Sequence, residues 1–118
     1  MLASMSADRF RRTALSLPEV IEGAHHGTAD FRVGKRIFAT LGYPDRDWGM
    51  VKLTPEQQAV VVEAEPEIFR PVPGGWGKSG STNVRLAKAD ATTLRSALKM
   101  ARDNVAAKPA KARAKPSS

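Results

Sequence analysis

The sequence predicts an α+β domain: an antiparallel sheet with helices packed on one face. Three observations predict it. Apolar residues recur at helical spacing near both ends of the chain, Phe10, Ala14 and Leu17 first, then Leu94, Ala97, Leu98, Ala101 and Val105. Between them stand short alternating segments separated by glycine-containing turns. One strong internal helix start, Thr54-Pro55-Glu56-Gln57, interrupts the strands.

Taken in order, Ser6 is the expected N-cap of a helix over 7–17, which Pro18 ends. Val20 to Gly27 reads as a short strand or extended edge. Phe31-Arg32-Val33 and Arg36 to Leu41 are apolar runs split by Gly34-Lys35, the pattern of a β-hairpin. Gly42 to Asp47 is a loop, and Trp48 to Leu53 a third strand. Thr54 then caps a helix to about Ala64, with Pro55 at its first position and Gln57 closing a capping box. Pro66 to Gly80 holds too many Pro and Gly for regular structure throughout. Thr82 to Leu86 is the last strand, and Asp90 caps the final helix.

The 118 residues suit one domain, expected over 1–107. Residues 108–118 carry Lys108, Lys111, Arg113 and Lys115 with no acid, and their Ala/Lys/Pro composition predicts a disordered basic tail. Of the net charge of +7, that tail holds +4, leaving 15 bases against 12 acids elsewhere. The absence of cysteine excludes disulfides, thiolate metal sites and a cysteine nucleophile, and fits a cytoplasmic setting. No apolar run approaches the ~20 residues of a membrane span, and Met1 to Arg12 lacks a secretory leader, with Met5 an alternative start.

Several stretches share the order and spacing of one known family: Leu17-Pro18-Glu19-Val20, Gly27 through Lys35, Ile37 to Leu41, Val51 to Gln57, Pro66-Glu67-Ile68-Phe69, Gly75-Trp76-Gly77 and Val84-Arg85-Leu86. Over about residues 7–107 the chain resembles the MmcQ/YjbR-like family. The resemblance implies a compact fold similar to the frataxin/CyaY type. It also implies DNA binding, with hairpins acting as paired wings.

Alternation assigns the sheet faces independently. With Phe31, Val33, Val51, Leu53, Val84 and Leu86 inward, Arg32, Lys52 and Arg85 point away together, with Trp48 near them. Lys35 and Arg36 stand at a hairpin tip, and Lys78 and Lys88 flank the last strand. Cations beside an aromatic suit phosphates and a stacked base, although solvated strand charges look the same in sequence. The expected role is therefore a non-enzymatic DNA-binding protein, taken to be monomeric, using Arg32, Lys35, Arg36, Lys52, Lys78, Arg85 and Lys88 with Trp48 and Trp76 for stacking or a groove. A protein- or small-ligand-binding module beside Trp76 is the alternative. Trp76 could equally anchor its glycine-rich loop against the core.

No cofactor, metal or membrane partner is expected. His25 and His26 are adjacent on a strand and face opposite ways, so they are poor joint ligands. Gly74 to Thr82 misses the phosphate-loop spacing and opens no helix. The serines and threonines of that loop have no histidine near them in sequence.

Overall fold

The computed structural model describes the backbone of residues 2–25, 27–42 and 45–117, and side chains between 7 and 106 within those stretches. Ten elements follow in order: α1 Leu2–Leu15, β1 Ile21–His25, β2 Thr28–Val33, β3 Arg36–Leu41, β4 Trp48–Lys52, α2 Pro55–Ala64, β5 Phe69–Pro71, α3 Gly75–Lys78, β6 Ser81–Arg85 and α4 Ala91–Ser117. The strands form one six-stranded sheet in the order β1-β2-β3-β4-β6-β5, antiparallel at every pairing.

Two expectations about helix ends change. α1 starts at Leu2, so Ser6 lies inside it and is not its N-cap. α4 continues to Ser117, through the segment 108–117 whose composition predicts a tail; of the side chains beyond Ala106 nothing is described.

The β2–β3 hairpin turns on Gly34 and Lys35, both with positive φ (57° and 73°). Two central residues with φ above zero make a type I′ turn, whose twist matches that of the strands. Glycine meets this demand without strain; Lys35 does not. A β-bulge at Phe31/Arg32 shifts the register, so that Phe31 pairs with Ala39 and Arg32 with Ile37, skipping Phe38. The extra residue lets consecutive Phe38 and Ala39 both be buried.

α2 begins as its sequence requires. The Thr54 hydroxyl accepts from the Gln57 amide at 3.1 Å, and the Gln57 side chain accepts from the Thr54 amide at 2.9 Å. The Asn104 side chain of α4 donates to the same Gln57 oxygen at 2.8 Å and to the Lys52 carbonyl at 3.1 Å, tying α4 to this corner. Asp90 caps α4 through the Thr93 amide at 2.7 Å.

The core lies between the sheet and α1 with α4. Phe10 of α1 rests on Gly49 of β4, where a Cβ would stand 2.6 Å from the ring, and 5.9 Å from Phe31 between ring centres. Leu94, Ala97, Leu98, Ala101 and Val105 of α4 complete the layer. α2 closes the β5–β6 end of the same side, its Gln58 amide donating to the carbonyls of Gly77 and Ser81 at 3.0 Å each.

Candidate functional site

Cross-strand pairing fixes which residues share the face turned away from α1, α2 and α4. Ile21 pairs with Arg32 and Gly23 with Asp30. Thr40 pairs with both Asp30 and Met50. Trp48 pairs with Arg85, Met50 with Asn83, Lys52 with Ser81 and Arg70 with Asn83. Side chains of directly paired residues lie on the same side. Arg32, Lys52, Arg70 and Arg85 therefore share this outer face, and alternation assigns Arg32, Lys52 and Arg85 correctly. They do not form one continuous patch. Each has a different setting.

At the β1–β2 end the charge is satisfied internally. The Asp30 carboxylate is buried and accepts from Arg32 Nε at 2.6 Å and Nη2 at 3.0 Å, and pairs with His25 Nδ1 at 2.7 Å. Arg32 and Asp30 are two apart on β2, which places them on one face. Gly23 opposite leaves the room they need: a Cβ there would sit 3.1 Å from both Arg32 Nε and Asp30 Oδ1. The Arg32 guanidinium holds the Asp30 carboxyl below its ordinary value, with help from His25 and against burial, which pushes it up. Asp30 in turn raises Arg32. His25 thus meets a carboxylate, but the pair lines neither of the two cavities described below, and His26 lies outside the described residues. Among the described residues no cluster of three or more metal-ligating side chains occurs.

The opposite end, where β4, β6 and β5 meet, is different. Arg70 and Arg85 both place their guanidinium carbons over the Trp48 ring, 4.4 and 4.6 Å from its centre. Such stacking is a favourable cation–π geometry and orients planar guanidiniums. It also covers the indole, which is only 7% exposed. Trp48 is thus a platform for two arginines, and the expected stacking of a base on its ring does not fit. Among the described residues neither the Arg70 nor the Arg85 guanidinium has an ion-pair or hydrogen-bond partner. Beside them opens a recess of about 360 Å³ lined by Trp48, residues 66–70, Arg85 and the exposed Lys88.

The remaining predicted residues lie elsewhere. Lys52 Nζ is 6.0 Å from the Trp76 ring centre. That position is four residues along β4 from Trp48, roughly 13 Å at the rise of a strand. Lys35 and Arg36 are exposed at the hairpin tip, and Lys78 is exposed in α3. Trp76 is 69% exposed, so it does not anchor its loop to the core; the buried residue of α3 is Gly77. Nor does Trp76 line either cavity: the second, between α2 and α4, is bordered by Val60, Phe69, Ala97 and Met100 among others. Phe69 is buried in the core. Arg70 is the residue sequence reasoning missed. Its strand has three residues and ends in Pro71, too short for any alternation to register.

A small antiparallel sheet, helix-backed on one side and carrying stacked arginines on the other, defines a compact α+β domain. The chain belongs to the YjbR family, whose model matches residues 15–104. The crystal structure of Deinococcus radiodurans protein DR2400, a DUF419 domain, has the same fold, with a TM-score of 0.66 and 22% identity over 80% of this chain and 73% of that one. Comparison with curated proteins gives no match. No helix among the described residues is long and apolar enough to cross a membrane.

Proposed function

We propose that this chain is a non-enzymatic DNA-binding protein of the cytoplasm, acting as a monomer, that holds phosphates on the outer face of its sheet. One observation carries the reading: Arg70 and Arg85 lie on that face with their guanidinium donors unspent among the described residues. A guanidinium fork matches phosphate oxygens in pairs. Lys88 stands beside them, and Lys52, Lys35, Arg36 and Lys78 extend the positive surface. Arg32 contributes less, because Asp30 already neutralises it. The alternative module beside Trp76 has the exposure of that ring in its favour, but Trp76 lines neither of the two cavities described.

The test is a salt titration of duplex binding by the full chain. Removing one phosphate-binding cation lowers the slope of log affinity against log salt by about 1. The Arg70→Gln/Arg85→Gln double variant should therefore lower it by about 2. Replacing Lys108, Lys111, Arg113 and Lys115 by Gln isolates the C-terminal cations. The reading fails if no binding occurs at about 50 mM salt, or if those four substitutions alone abolish it.

A further inference from the structure

We propose that the recess beside Trp48 is a site for a terminal phosphate monoester, the group carried by a 5′-phosphorylated DNA end or by a free nucleotide. The idea rests on the preceding reading only in giving this surface to phosphate; it goes further in naming which phosphate.

Charge is the first argument. Arg70, Arg85 and Lys88 bring three positive charges to the recess, against one negative charge from exposed Glu67. The excess of two matches a phosphate monoester, which carries about −1.5 to −2 near neutral pH. An internal phosphodiester carries a single charge and would leave one cation uncompensated.

Geometry is the second. One indole holds two guanidiniums at 4.4 and 4.6 Å from its centre, so the two charges lie no more than about 9 Å apart, and among the described residues no carboxylate forms an ion pair with either. Like charges at that range repel one another, and an anion bound at the recess they both line relieves the repulsion. Each guanidinium offers five N–H donors in a fixed fork, and a terminal phosphate has three oxygens free to accept them.

Shape is the third. A recess of about 360 Å³ lies at the lower end of the range for small-ligand sites, roughly 300–1,000 Å³. It admits a chain end or a mononucleotide rather than the flank of a duplex. Because the arginines cover Trp48, the phosphate is what is read, and base identity matters little.

The experiment uses the full-length chain and four probes: 5′-phosphorylated and 5′-hydroxyl oligonucleotides of one sequence, a nucleoside 5′-monophosphate and its parent nucleoside. Affinities come from fluorescence anisotropy for the oligonucleotides and calorimetry for the small probes. The phosphorylated oligonucleotide should bind roughly 10-fold tighter than its hydroxyl twin, the worth of one added charge-assisted hydrogen bond. Arg70→Gln should erase that ratio. Arg85→Lys keeps the charge but loses the fork, and should erase most of it, with circular dichroism confirming that both variants fold. Equal, salt-sensitive binding of both oligonucleotides overturns the monoester site and leaves the DNA reading intact. Binding of the monophosphate alone, with neither oligonucleotide retained, supports the site and removes the DNA reading. Binding of none of the four overturns both.

Discussion

The outer face carries two arginine clusters with opposite solutions to the same problem. Near β1, Arg32 is locked onto buried Asp30, and His25 completes the set. Near β5, Arg70 and Arg85 are oriented by an aromatic ring that leaves their guanidinium donors unused among the described residues. An arginine fixed by a carboxylate is spent on the fold, whereas one fixed by stacking is held in place and still able to bind. The difference teaches that a count of cations on a face overstates its capacity for an anion. The partner that positions each cation decides.

The largest effect that sharpens this contrast is on binding. Arg70→Gln with Arg85→Gln should weaken DNA affinity about 100-fold, while Arg32→Gln should change it by less than about 3-fold. Anisotropy titrations at fixed salt measure both, and equal losses would break the distinction between the clusters.

Stability should show the reverse. Asp30→Ala takes away the carboxylate that Arg32 and His25 share and removes buried hydrogen bonds to charged groups, at a cost of about 2 kcal/mol. Arg70→Ala gives up an exposed cation–π contact, about 0.5–1 kcal/mol. Urea unfolding monitored by circular dichroism compares them. If the arginine change costs more, the β5 cluster is structural.

Acid should act on the first cluster. Asp30 has a lowered value in the folded chain, so its stabilisation is complete above the ordinary carboxylate range and is lost as pH falls through the lowered value. Asp90, held down first by the Thr93 amide, and Asp103, held down first by Lys99, add to the same trend. The chain should lose stability below about pH 4. Asp30→Asn, less stable at neutral pH, should lose less on acidification. Unfolding midpoints between neutral and acid pH test this.

The smallest effect on binding concerns the hairpin. Lys35→Gly should raise stability by about 1 kcal/mol, by relieving a left-handed backbone, and lower DNA affinity only slightly.

Much of the fold was legible because its signals are local. The glycine–lysine pair announced the hairpin, the Thr54 box announced α2, and alternation put Val51, Leu53, Val84 and Leu86 inside. The site was only half legible. Arg85 and Trp48 could be placed on one face, but their direct contact depends on pairing between β4 and β6, which are separated by two helices and a strand. Arg70 was hidden in a three-residue strand within a glycine- and proline-rich stretch. The Asp30–Arg32 pair was only partly legible: Arg32 stands in the predicted strand Phe31–Val33, but Asp30 precedes it, because β2 begins earlier, at Thr28, and the third member, His25, comes from a neighbouring strand.

Lys35 holds a backbone angle of 73° that glycine would adopt freely. An asparagine–glycine tip would reverse the chain more readily and carry no charge. Keeping an ammonium at the outermost point of the β2–β3 hairpin means the turn gives up folding stability to present that group to the solvent. The same protrusion would make it an early point of encounter for an approaching polyanion.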